Sequence, residues 1–172
     1  MHDDTDARRW DADEAVSALY SAHYRSLVRL ATMLLHDTGS AEEVVQDAFV
    51  AMHGRWSRLR DPDRAAGYLR QAVVNRARSA LRHRGVAARH EVSPGPDQPG
   101  ADVHALAAEL RRDVVQALRR LPVRQREAVV LRYYADLSEA ETAEVMGVSR
   151  GSVKTHASRG VAALRPHLER LA

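Results

Sequence analysis

The chain has 172 residues, with 26 Lys+Arg against 23 Asp+Glu and a formal net charge of +3, giving a pI of about 9.7. The basicity is almost all arginine, since Lys154 is the one lysine, and so small an excess is a weak pointer to nucleic acid by itself. The lack of cysteine excludes disulfides and cysteine-ligated zinc. With no stretch near the roughly 20 apolar residues of a membrane span and no signal-peptide core in the start "MHDDTDARRWDADEA", a cytoplasmic protein without membrane insertion is expected.

Abundant Ala, Leu, Arg and Glu with few aromatics predict an all-α fold of two small helical domains. Residues 1–13 read as a disordered acidic N-terminus. A first domain, 14–85, opens with Val16, Leu19, Tyr20, Tyr24, Leu27, Leu30, Ala31 and Leu34 at helical spacing. A second helix follows "HDTGS", where Ser40 precedes Glu43 by three residues in the manner of a capping box. Its apolar stripe is Ala41, Val44, Val45, Ala48, Phe49 and Met52. The stretch "RLRDPDRAAG" reads as a loop in which Asp61-Pro62 starts a new turn. A third helix from about Arg64 to Arg84 turns Tyr68, Leu69, Ala72, Val73, Ala77, Ala80 and Leu81 inward.

"GVAARHEVSPGPDQPGADVH" then breaks the helical texture with Pro94, Pro96, Pro99, Gly95 and Gly100, predicting a flexible linker over 86–104. The second domain, 105–172, begins with a helix through Leu106, Leu110, Val114, Ala117, Leu118 and Leu121. Pro122 suits the first turn of the next helix, which carries Val129, Val130, Leu131 and one of Tyr133 and Tyr134. Ser138 with Glu141 is a second capping box, Gly147 supplies a left-handed turn position, and Ser149 caps a final helix.

Projected from Ser149 to Leu171, that final helix has an apolar seam of Val153, Ala157, Val161, Leu164 and Leu168. Gly160 lies beside the seam, where a missing side chain lets another helix approach. Ser152, Thr155, His156, Ser158 and Arg159 face outward, Lys154 lies at the boundary and Arg150 sits in the first turn. Arg bonds guanine bidentately, Ser and Thr reach base edges, and the helix N-terminus with Arg150 holds phosphate. The pair of helices therefore reads as a helix-turn-helix for the DNA major groove. The alternative is a solvated, Arg-rich surface helix.

Two features of the first domain remain. "TGSAEEVVQDAFVAM" puts Glu42, Glu43, Gln46 and Asp47 on the polar side of an amphipathic helix, and from Arg64 to His90 there are seven Arg and no acid. The acidic face could be merely solvated, and Asn75 could be a buried, satisfied amide; taken together, the two surfaces suggest partners of opposite charge. In this order the stretches "AEEVVQDAF", "YLRQAVVNRARSALR" and "LPVRQREAVVLRYYADLSEAETAEVMGVSRGSVKTHASRG" resemble the extracytoplasmic-function (ECF) sigma factors of bacterial RNA polymerase, in the sigma-70 family. The resemblance runs from about Val16 to Leu168.

It implies that 14–85 is sigma domain 2 and 105–172 is sigma domain 4, with core polymerase (its β and β′ subunits), promoter DNA and an anti-sigma factor as partners. Glu43, Gln46 and Asp47 would meet polymerase. Gln71, Asn75, Arg78, Ser79 and Arg82 would meet the unwound −10 strand. Arg150, Ser152, Lys154, Thr155, His156, Ser158 and Arg159 would meet the −35 element, Arg150 and His156 at phosphates. Four positions depart from the family's habit: Tyr68 stands where Trp is usual, Thr142 replaces an aliphatic, and Ser79 and Ser158 are small. No metal-ligand spacing, phosphate loop or catalytic set is legible, so no enzyme, cofactor or metal is expected. The rival readings are a LuxR-type helix-turn-helix regulator, since "SVKTH" suits that kind of domain too, and a helical adaptor that binds polymerase without reading promoters.

Overall fold

A computed structural model describes the backbone of residues 3–87 and 105–170, with side chains from Asp11 to Gly85 and from Arg112 to Arg170. The described chain is helical, without a strand. Helix α1 (Asp3–Leu35), α2 (Thr38–Arg55) and α3 (Ala65–Ala87) make the first half. The second half comprises α4 (Ala105–Arg119), α5 (Val123–Val129), α6 (Glu139–Met146) and α7 (Arg150–Leu168). The expected linker lies outside the described residues from 88 to 104, and α3 runs three residues past the expected end of its helix.

The start of the chain differs from expectation. Where residues 1–13 were expected to lack structure, α1 already begins at Asp3. Ala12 is buried and Asp13 pairs with His53 near the end of α2, so a helical turn costs little once α2 offers it a surface. α1 ends at His36, a non-glycine residue at φ 61°. Its N–H bonds the Thr32 carbonyl at 2.7 Å, a left-handed cap. Helix α2 starts a turn earlier than the Ser40–Glu43 pattern predicts. Its cap is Asp37, whose carboxylate accepts from the Ser40 N–H at 3.0 Å, so Ser40 is the third residue of the helix. Asp61 caps the short 3-10 turn Pro62–Arg64 that leads into α3, as its Asp-Pro pair predicts.

The expected stripe of α2 is buried in full, packed on Leu27, Leu30, Ala31 and Leu34 of α1 and on Leu69, Val73, Val74 and Ala77 of α3. Tyr20 stacks on Tyr24 with centroids 4.4 Å apart and meets Phe49 edge-on at 5.1 Å, pinning α1 to α2. In the second half α5 does not simply continue: Val130–Tyr134 form a π-helical turn. The wider turn leaves both Tyr133 and Tyr134 exposed, whereas one was expected inside. α7 packs its seam of Val153, Ala157, Gly160 and Leu164 on α5; Val161 is half-buried and Leu168 is exposed. The two halves also touch, and their buried apolar side chains form one continuous cluster.

Candidate polymerase and nucleic-acid interfaces

Three surfaces carry the candidate residues. On α2, opposite the buried stripe, Glu42, Glu43, Gln46 and Asp47 are all exposed. Val50, one turn on from Gln46, is 72% exposed, which leaves an apolar spot at the end of an acidic row. The helical wheel contained Val50, but an isolated valine outside the stripe carries no signal until the fold shows that nothing covers it.

The second surface is built by α3 with the loop before it. A hollow of about 610 Å³ lies between the end of α2, that loop and α3. Gln71, Asn75, Tyr68, Arg55, Arg58, Arg60 and Arg76 line it. Of the sequence candidates, Gln71 and Asn75 reach this hollow; Asn75 is exposed, which removes the buried-amide reading. Arg82 donates to Ser79 Oγ at 3.2 Å, one turn away on the same helix. Arg78 is turned under the second half: its Nε and Nη2 donate to the two oxygens of Glu127 at 2.7 and 2.9 Å. The arginines of the loop were not among the sequence candidates, although "GRWSRLRDPDR" holds four within ten residues. Only the packing of that loop against α3 directs three of them, Arg55, Arg58 and Arg60, at one space.

The third surface is the pair α6–α7. Ser138 and Glu141 form the expected capping box: the Ser138 N–H donates to Glu141 Oε2 at 2.7 Å and the Glu141 N–H to Ser138 Oγ at 3.1 Å. The Ser138 hydroxyl first and its backbone N–H second hold the Glu141 carboxyl below the usual carboxylate range. α6 stops at Gly147, φ 65°, with the Gly147 N–H to Glu144 O and the Val148 N–H to Ala143 O, a Schellman closure. Ser149 then caps α7 through the Ser152 N–H at 3.1 Å. Arg150, Lys154, Thr155, Ser158 and Arg159 are exposed along one face. Two residues expected there differ. Ser152 is half-buried with its hydroxyl 2.9 Å from that of Ser149. His156 is half-buried, with Nδ1 enclosed and unpartnered, because the α7 wheel leans that position toward the bundle. Thr155 Oγ1 donates to the Gly151 carbonyl at 3.1 Å, leaving its lone pairs and methyl outward.

An acidic face, an arginine-lined hollow and a capped helix-turn-helix thus follow one another along the chain. Residues 19–86 match the family described as Sigma-70 region 2 and residues 111–164 that described as Sigma-70, region 4. The RNA polymerase sigma-E factor of Streptomyces avermitilis is 34% identical over 147 residues, 84% of this chain and 79% of that protein. ECF RNA polymerase sigma factor SigM of Mycobacterium tuberculosis is 35% identical over 151 residues, 87% of this chain and 75% of that one. The chain belongs to the ECF sigma factors.

Solved structures share its architecture. CnrH, in complex with the cytosolic domain of CnrY, superposes with a TM-score of 0.67 at 27% identity, covering 95% of this chain and 98% of that one. The sigma factor RpoE in complex with the anti-sigma factor NepR, from Bartonella quintana, has the same fold, with a TM-score of 0.70 at 22% identity over 89% and 96% of the two chains. As a sigma factor the protein is a transcription initiation factor, working on core RNA polymerase and promoter DNA by binding and not by catalysis. The region 2 match takes in the first half, which the LuxR-type reading leaves unexplained, and the region 4 match takes in the helix-turn-helix, which an adaptor would not need. No helix among the described residues is long and apolar enough to cross a membrane.

Proposed function

We infer that this sigma factor divides its work between the two halves, 14–85 and 105–172, joined through 86–104. Glu43, Gln46 and Asp47 dock on the polymerase β′ subunit, with Val50 adding an apolar contact. The hollow beside α3 receives the unwound −10 strand. Its arginines draw the backbone in, Gln71 and Asn75 offer polar edges to a base, and Tyr68 offers a face for stacking. Ser79 and Arg82 extend that surface along α3. In the −35 major groove Lys154, Thr155, Ser158 and Arg159 meet bases, while Arg150, Ser152 and His156 lie toward the backbone.

Melting is driven by capture of extruded bases, with no nucleotide hydrolysed. Each half offers few phosphate contacts, so the free protein binds DNA weakly. Core polymerase fixes the separation of the halves and makes one bivalent site of two. An anti-sigma factor is the expected inhibitor, since CnrH and RpoE are solved in complex with CnrY and the anti-sigma factor NepR. The place of action is the bacterial cytoplasm, where polymerase is.

The observation that carries this reading is the arginine-lined hollow on the same chain as the helix-turn-helix. The test is transcription with sigma-free core polymerase and fragmented DNA from the protein's own organism, followed by sequencing of transcript 5′ ends. Discrete starts that share −35 and −10 sequences are expected. Random starts, with the same core shown competent with another sigma factor, would overturn it.

A further inference from the structure

We propose that Thr155 is the residue by which α7 reads the 5-methyl group of a thymine in the −35 element. This rests on the reading of α7 as the helix that enters that major groove. The Thr155 hydroxyl donates to the Gly151 carbonyl at 3.1 Å, one turn back along the same helix. Its proton is thereby committed inside the helix, and the oxygen is held against the backbone. With that proton engaged, Thr155 has no donor for the acceptor atoms of guanine or for thymine O4. The amines of adenine and cytosine would have to reach the held oxygen. A thymine methyl meets the group left free, the Thr155 methyl.

The surroundings leave that methyl bare. A helical side chain leans over the turn before it, and its surface neighbours stand three and four residues away. For Thr155 three of these are small, Gly151, Ser152 and Ser158, and the fourth is Arg159. Apart from the helix's own backbone, a Cβ added at Gly151 would meet Ser149 Oγ alone, at 3.9 Å, so the space over which Thr155 leans is open. The Ser152 hydroxyl is drawn the other way, to that of Ser149, 2.9 Å off. From Arg150 to Arg159 the other exposed side chains are Arg150, Lys154, Ser158 and Arg159, while Val153 and Ala157 are buried. Thr155 therefore carries the one exposed methyl on a face of donors. The cations suit guanine and phosphate, and the methyl suits thymine. Cβ atoms four residues apart lie about 5–6 Å from each other and base pairs rise about 3.4 Å, which puts the thymine within about two base pairs of a guanine read by Arg159.

The test uses the complex with core polymerase on a promoter mapped from its own transcript starts. Each thymine of the −35 element, on either strand, is replaced singly by deoxyuridine, which removes the methyl and no hydrogen-bonding group. Affinity is measured by competition against the unmodified duplex. One replacement is expected to weaken wild-type binding about four-fold, the loss of one methyl contact. Thr155→Ser keeps the hydroxyl without the methyl and is expected to bind the thymine and uracil duplexes equally. Thr155→Val keeps a methyl without the hydroxyl and is expected to retain the preference. Where that thymine–adenine pair is changed to cytosine–guanine, 5-methylcytosine in place of cytosine is expected to raise wild-type affinity about four-fold.

A −35 element without thymine on either strand, or wild-type binding that no deoxyuridine weakens, would overturn the proposal. A preference kept by Thr155→Ser would give the methyl to another residue, and one lost in Thr155→Val would give the reading to the hydroxyl. Either result removes Thr155 from this role. Both variants change an exposed position, and urea unfolding of each checks that the helix-turn-helix is intact. A lack of specific starts with the wild type is a failure of the sigma reading itself, and the proposal falls with it. Specific starts that ignore every thymine methyl fail Thr155 alone.

Discussion

A methyl group added at Gly160 would sit 2.6 Å from Val129 Cγ2 and 3.2 Å from the Gln125 carbonyl oxygen. The second of these is backbone and cannot step aside. Gly160→Ala should therefore push α7 off α5 and cost about 1–3 kcal/mol, measured by urea unfolding of the whole chain. At His36 burial comes first, then Arg126, Arg119 and Arg84, in holding the imidazole pKa down at about 4 from its ordinary 6.5. The unfolded chain takes up this proton near pH 6.5, and the folded one only near 4. The stability tied to the neutral ring is complete above 6.5 and is lost as the pH falls toward 4. His36→Gly removes that loss, the left-handed strain and two enclosed, unpartnered nitrogens. The gap in melting temperature between variant and wild type should widen from pH 7 to pH 5; a constant gap would show that His36 does not titrate with folding. Arg159, exposed on the outer face of α7, makes a different kind of prediction. If it reads guanine bidentately, Arg159→Ala should lose about 1–3 kcal/mol of −35 discrimination with no change in unfolding, compared on promoters substituted base by base.

Helix ends account for much of what the local sequence decides. Ser138→Ala removes the acceptor for the Glu141 N–H and should lower stability by about 1 kcal/mol by urea titration. This box was legible because its Ser and Glu stand at the required spacing and no stronger cap precedes them. The Ser40–Glu43 pattern misled for the opposite reason: Asp37 three residues earlier is as good a cap, and its carboxylate also meets Arg84 of α3 at 3.1 Å. That arginine is 47 residues away, so the preference for Asp37 depends on a tertiary contact. The π-helical turn at Val130–Tyr134 had no signature in the pattern. It closes where the Leu137 N–H reaches the Leu131 carbonyl and the Ala135 N–H reaches that of Val130, and it turns both tyrosines outward.

For the whole molecule the decisive residue is Arg126. It is buried, and burial lowers its pKa, yet its guanidinium is held by the carbonyls of Leu118, Arg119 and Leu121 and by Leu34 of the other half. Arg126→Ala would take the guanidinium from those carbonyls, of which Leu118 keeps the Leu121 N–H, and should cost about 3 kcal/mol or more, read as the unfolding free energy of the full chain. Arg64→Ala, across the same interface but exposed with its partner, should change it by less than about 1 kcal/mol. A similar loss for the two would mean that the halves are held by charge at the rim and not by the buried contact.

The sequence by itself determined the all-helical class, the two halves, the inward stripe of α2 and most of those of α3 and α7, the helix-turn-helix with its capping box and glycine turn, and the family. All of these follow from spacing and caps within a few residues, where helical periodicity and local hydrogen bonds act. Only the tertiary structure decided that the arginines of the α2–α3 loop converge on one hollow with Gln71 and Asn75, and that Arg78 faces Glu127 instead of solvent. Arg78 and Glu127 are 49 residues apart. A run of arginines reads the same whether it is free or already paired, because charge along the chain does not say which acid the fold will bring to it.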